Sequence, residues 1–195
     1  MERKESTAKQ ELRTRYLNYR NHLSIRERKE KSITIWGILE REPVYQDARN
    51  VLVYMDYRSE VMTTGLVEKL FSTGEKRVFA PKVEGMDICF YEVSGMEDFV
   101  EGYQGIREPV GKIDNLFTAQ TMAEAKTLIL VPGAVFDRER GRMGYGKGFY
   151  DRYLAAFPEI SSAALAFSCQ IARKVPMNAH DRKPDLIITD QGVIR

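Results

Sequence analysis

The stretch Gly141-Arg-Met-Gly144-Tyr-Gly146-Lys-Gly148 constrains this chain more than any other. Before it, the apolar run Leu128-Ile-Leu-Val-Pro132 reads as a buried strand. After it, Phe149 to Phe157 reads as a helix with Tyr150, Leu154 and Phe157 on one face. Glycines at alternate positions, beside Arg142 and Lys147, leave backbone N–H groups uncovered. A helix N-terminus adds a positive dipole end, and together these suit an anion such as phosphate. A plain glycine-rich surface loop fits the same spacing.

Two common phosphate motifs do not fit. Gly141 to Lys147 matches the G-x-x-x-x-G-K part of a Walker A loop, but Gly148 stands where Ser or Thr should hold magnesium. Pro132 to Arg140 also separates the loop from its strand. The dinucleotide fingerprint needs G-x-G-x-x-G, whereas this chain has G-x-G-x-G.

At 195 residues the chain is expected to form one domain, 1–195. Its net charge of +2 is too small to argue for nucleic acid or an anionic membrane. No apolar run approaches the ~20 residues that span a bilayer. The start, Met1-Glu-Arg-Lys-Glu-Ser6, lacks the apolar core of a signal peptide. Cys89 and Cys169 are isolated in apolar runs and read as reduced core thiols. These features point to the cytoplasm.

Residues 1–6 read as a charged, frayed end. A helix is expected from Thr7, with Leu12, Tyr16, Tyr19 and Leu23 on one face. Lys9 and Arg13, one turn apart, share a different face and fit one common ligand or plain solvation. Ser24 and Glu27 form a capping-box pattern for a second helix, which turns Ile35, Trp36, Ile38 and Leu39 inward. Val51 to Met55 reads as a strand, and Val61 to Leu70 as a helix stopped by Gly74. Glu60, between them, fits a ligand contact at a strand end or a helix N-terminal acid.

Arg77 to Ala80 reads as a strand ended by Pro81, followed by a strand over Asp87 to Val93. The segment 94–126 has little periodicity and is expected to wrap the sheet edge or cover a site. Ala163 to Phe167 and Leu186 to Thr189 are the last strands, and Gly192 turns the chain. Alternating strands and helices imply an α/β domain with a largely parallel sheet. The strand pair within 77–93 adds an antiparallel part.

Asp151 sits in the first turn of the helix beside the glycine loop. Asp181 lies between the last two strands. Magnesium takes hard carboxylate oxygens, one or two of them with phosphate and water. A helix acid and a turn-forming Asp fit these positions equally. His180 and Asp185 read as loop and turn residues.

With these residues in place, the chain resembles the 5-formyltetrahydrofolate cyclo-ligase family, also called 5,10-methenyltetrahydrofolate synthetases. The matching residues span nearly the whole chain. They are Lys9-x-x-x-Arg13, Glu60, Gly105-Ile-x-Glu108-Pro109, Val131-Pro-Gly-x-x-Phe136-Asp137, Gly141 through Asp151, and His180-Asp181. The resemblance implies a three-layer α/β/α fold with a mostly parallel sheet. It implies ATP-dependent, Mg²⁺-dependent closure of 5-formyltetrahydrofolate, polyglutamylated or not, to 5,10-methenyltetrahydrofolate.

Carried over by position, Lys9, Gln10, Glu11, Leu12 and Arg13 contact ATP. So do Arg142, Met143, Gly144, Tyr145, Gly146, Lys147, Gly148, Phe149 and Tyr150. Met55, Glu60 and Tyr145 to Phe149 line the folate site. Asp151 and Asp181 hold magnesium, and Lys9, Arg142 and Lys147 carry the transferring charge. Phe149 stands where relatives often have a second tyrosine. Two rival readings are a phosphotransferase acting on another small acid and a module that binds single-stranded RNA by stacking and charge.

Overall fold

The computed structural model describes residues 2–195, with side chains from Thr7 onward. The frayed end expected of residues 1–6 is not seen for 2–6, whose backbone is already helical, so the helix starts before Thr7; Met1 lies outside the described residues.

Helix α1 spans Glu2–Asn21. Its inward arc is not the apolar one expected. At about 100° per residue, Lys9, Arg13 and Arg20 project within a narrow sector, with Leu12 and Leu17 at its margins. Leu12, Tyr16 and Leu17 pack against Ala134, Val135 and Met143. Tyr19 falls outside that sector and is half exposed, and Leu23 lies beyond the helix end.

Helix α2 (Ile25–Leu39) starts at the expected capping box, with Glu27 N donating to Ser24 Oγ and Ser24 N to Glu27 Oε2. Ile35 and Leu39 are fully buried, with Trp36 and Ile38 packed beside them. Helix α3 (Pro43–Asp47) leads to strand β1 (Asn50–Leu52), shorter than the apolar run suggested. Helix α4 (Thr64–Thr73) begins later than Val61. Asp56 Oδ1 accepts from the N–H groups of Thr63 and Thr64, at 2.8 and 2.9 Å, and so sets the start. That keeps 53–63 as a loop. Gly74, left-handed at φ 64°, closes the helix as expected.

Strand β2 (Arg77–Glu84) runs through Pro81 rather than ending there, and pairs with β3 (Asp87–Val93). Its register with β1 stops at Phe79, so beyond that point the missing proline N–H costs no ladder bond on that side. The segment after β3 holds a small hairpin, β4 (Phe99–Glu101) with β5 (Arg107–Pro109), then helix α5 (Ala119–Glu124). Strands β6 (Thr127–Val131), β7 (Val135–Asp137) and β8 (Arg142–Met143) precede helix α6 (Phe149–Ala156). The glycine stretch is thus shorter as a loop than its sequence suggests. Strands β9 (Ser161–Ala166), β10 (Ile171–Ala172), β11 (Leu186–Thr189) and β12 (Gly192–Ile194) complete the chain.

The main sheet has seven strands in the order β12-β11-β9-β6-β1-β2-β3. The central pairs are parallel, and the two outermost pairs are antiparallel. Alternate residues feed opposite faces. Val51, Leu128 and Leu130 face α2 and α4, whereas Leu52, Ile129 and Val131 face α6. Helices therefore cover both faces, as a parallel sheet requires. Cys89 and Cys169 are free but only half buried, not the core thiols expected. Among the described residues no helix is long and apolar enough to cross a membrane.

One packing contact tests this layering. A Cβ on Gly65 would sit 2.8 Å from Trp36 Cη2. The indole cannot swing aside without losing the Nε1 bond to Met62 O, 2.8 Å long. Gly65→Ala is expected to destabilise by about 1–2 kcal/mol, overpacking outweighing the better helix propensity. Urea unfolding followed by fluorescence of the single tryptophan checks it. Equal or raised stability would show that α2 and α4 have room to separate.

Candidate active site

The chain leaves β1 towards β2 on one side, through α4. It leaves β6 towards β9 on the other. The crevice between β1 and β6 is therefore a topological switch point, where loops from two C-terminal strand ends diverge and a ligand fits. A cavity of about 630 Å³ opens there. That volume is within the roughly 300–1,000 Å³ usual for small-molecule sites.

One wall comes from the loop after β1. It supplies Tyr54, Met55, Arg58 and Glu60. The opposite wall is the β8–α6 connection, Arg142 to Asp151, with Lys9 and Arg13 reaching in from α1 and Asp181 from the loop before β11. The structure brings these separated residues to one place. It does not bring Gln10, Glu11 or Leu12: the first two point to solvent, and Leu12 packs in the core under β7 and β8. A helix cannot turn five consecutive side chains to one site.

The glycine loop is shaped by its backbone and held from α1. Gly146 and Gly148 have φ of 95° and 70°, a region that L side chains rarely adopt. Arg13 Nε donates to Gly144 O at 2.9 Å. Gly148 precedes α6, whose first turn, Phe149 to Asp151, lines the same cavity. Asp137 fixes the approach to β8: its Oδ1 accepts from Gly141 N and its Oδ2 from Val175 N, both at 2.7 Å. Of the aromatic residues here, Phe149 meets Tyr103 edge-on, while Tyr150 turns into the core against Phe90.

The charges are arranged as pairs. Arg142, 4% exposed, donates to Asp151 Oδ1 at 2.6 Å and to Pro132 O at 3.3 Å. Among the described residues its buried Nε has no hydrogen-bond partner. Lys9 Nζ lies 3.1 Å from Asp181 Oδ2. Arg182 N donates to Asp151 Oδ1, which links the two acidic segments. Lys147 is exposed at the cavity rim.

On the opposite wall Glu60 is buried and accepts from Tyr57 N at 2.9 Å. Burial pushes its carboxyl above the usual range, and the nearby Arg20 guanidinium opposes this. Burial likewise raises the Tyr54 and Tyr150 hydroxyls. Sequence reasoning missed Arg20, Tyr54, Arg58, Tyr103 and Ile106. The aperiodic segment 94–126 was the signal for Tyr103, and for Ile106 there was also the Gly105-Ile-x-Glu108-Pro109 match; the segment does cover the site.

A glycine-rich loop suited to an anion and a half-apolar wall meet at a sheet switch point, the arrangement of an α/β protein with a small-molecule site. A family model described as the 5-formyltetrahydrofolate cyclo-ligase family matches residues 5–190. The chain belongs to that family.

It is 33% identical over 180 residues to the probable 5-formyltetrahydrofolate cyclo-ligase of Schizosaccharomyces pombe, covering 85% of this chain and 86% of the relative. The mouse 5-formyltetrahydrofolate cyclo-ligase is 25% identical over 205 residues, 96% of each chain. The NMR structure of Aquifex aeolicus 5,10-methenyltetrahydrofolate synthetase superposes with a TM-score of 0.82 at 33% identity, covering 96% of this chain and 92% of that one. The activity is that of a 5-formyltetrahydrofolate cyclo-ligase, a ligase acting on folate in one-carbon metabolism. The family implies ATP use.

Proposed function

We propose that the glycine-loop wall holds ATP and the Met55–Glu60 wall holds 5-formyltetrahydrofolate. The formyl oxygen attacks the γ-phosphorus and ADP leaves. The substrate's own N10 then attacks the formyl carbon and gives up its proton, and phosphate departs as the methenyl bridge closes. The nucleophile is intramolecular, so no protein nucleophile is needed. The protein's work is to align the ligands and stabilise charge on the transferring group.

Lys9, Arg13, Arg142, Lys147 and the loop N–H groups supply that charge. Met55 gives an apolar contact for the pterin, Glu60 accepts from its N–H donors, and Phe149 offers a ring face. The observation that carries this reading is the single cavity joining both walls at the switch point.

The donor set also fits magnesium. Asp151 and Asp181 are hard oxygen donors linked through Arg182 N, and two carboxylates with phosphate oxygens and water are what the ion takes. When bound, magnesium neutralises charge on the phosphates. Arg142 and Lys9 form ion pairs with those carboxylates.

Purified protein with ATP, Mg²⁺ and 5-formyltetrahydrofolate is expected to form one ADP, one phosphate and one methenyl product, followed by near-ultraviolet absorbance. Product without ADP, or ADP without product, would refute the coupled phosphorylation.

A further inference from the structure

Arg20 is only 1% exposed, yet among the described residues no carboxylate forms an ion pair with it. A buried cation is costly unless its donors are used. Arg20 uses them on three different segments. Nε donates to Ser59 Oγ at 3.0 Å, beside Glu60. Nη1 donates to Gly133 O at 3.3 Å, just past β6. Nη2 donates to the Tyr145 hydroxyl at 2.6 Å, inside the glycine loop. Burial raises that hydroxyl, and Glu60 lies close enough to raise it further. One guanidinium therefore ties the loops after β1 and β6 and the tip of the glycine loop.

We infer that Arg20 is a positioning residue that locks Tyr145 to the Ser59–Glu60 wall, so that occupancy of the nucleotide side and of the folate side is coupled. This rests on the assignment of the two walls given above. Tyr145 is 41% exposed and sits on the loop shared by both ligands. Without the tie, the loop keeps only Arg13's bond to Gly144 O from α1. Each ligand then has to order its own wall separately. With the tie, the first ligand orders both, and the second binds more tightly.

Glu60 reports on the same contact. It is faced by Arg20 from α1, by Tyr54, Asp56 and the Tyr57 N–H on its own loop, by Tyr145, and by Tyr150 of α6. Of these, Arg20 is the one cation. Removing it leaves burial less opposed, so Glu60 protonates at higher pH.

The test measures the Kd of 5-formyltetrahydrofolate with and without a non-hydrolysable ATP analogue and Mg²⁺. The proteins are wild type, Arg20→Lys, Tyr145→Phe and the double variant. The analogue is expected to tighten folate binding at least about fivefold in wild type. The gain should fall towards one in each single variant, with no further loss in the double variant, since both break the same contact.

In Arg20→Leu the acid limb of kcat/KM should move to higher pH, while Arg20→Lys, which keeps the charge, should restore it. A merely structural Arg20 would lower thermal stability without moving either readout. Tyr145→Phe keeps the test valid if Arg20→Leu does not fold. A wild-type gain near one, or a full gain kept in Tyr145→Phe, overturns the inference and leaves the wall assignment standing. Absence of any folate binding by wild type removes both.

Discussion

Gly146→Val is expected to abolish ATP binding in a protein that still folds. Gly146 has φ of 95°, where a β-branched residue is strained whatever the space around it. The Cβ itself would stand 3.6 Å from the Arg13 guanidinium, an ordinary contact, so the added atom is tolerated and the backbone is not. The loop would relax to negative φ and turn its N–H groups away from the phosphates. It would also shift Gly144 O off Arg13 Nε, now 2.9 Å away. Losing preorganised donors of this kind costs about 10²–10³ in rate per donor, so turnover should fall by at least ~100-fold. Calorimetric titration with ATP and Mg²⁺ measures the affinity, and circular dichroism checks folding. Wild-type ATP affinity in a folded variant would show that this loop does not cradle the nucleotide.

Asp151→Asn and Asp181→Asn should change two quantities in opposite directions. Each variant should lose turnover by about 10²–10³ and need more magnesium, because neutralisation of the transferring group weakens. Each should also bind metal-free ATP more tightly than wild type does. Asp151 now neutralises Arg142, and Asp181 neutralises Lys9. Removing either acid frees a cation for phosphate. Asparagine keeps an oxygen for the bonds from Arg182 N and Asn178 N, so the local fold should survive. The checks are a magnesium titration of the initial rate and an ATP titration in chelator. Unchanged half-saturating magnesium in both variants would leave them as structural acids.

What was legible in the sequence is what the backbone imposes on composition. Gly146, Gly148 and Gly74 stand where φ is positive, and Ser24 with Glu27 writes a helix start into four residues. The parallel sheet followed from apolar runs spaced by helices. What was hidden depends on residues far apart in the chain. Nothing in the sequence marked Arg20, because its partners Ser59, Gly133 and Tyr145 are distant in sequence. Proline 81 reads as a stop unless the end of the β1 register is known. The start of α4 is set by Asp56, which local capping rules place outside the helix. The Lys9–Asp181 ion pair joins opposite ends of the chain, whereas Asp151 pairs with Arg142 only nine residues before it, so spacing marked all four residues but not which of them pair.

Those ion pairs also bear on how the site empties. In the proposed reaction, inorganic phosphate would be left against Lys9 and Arg142 once ring closure is complete. Asp181 and Asp151 are tethered within bonding reach of the same two cations, at high effective concentration. On that reading they would be built-in competitors for the leaving anion. The enzyme should therefore show weak product inhibition by phosphate, and that inhibition should deepen in the asparagine variants. Equal phosphate inhibition in wild type and variants would assign clearance of the site to some other step.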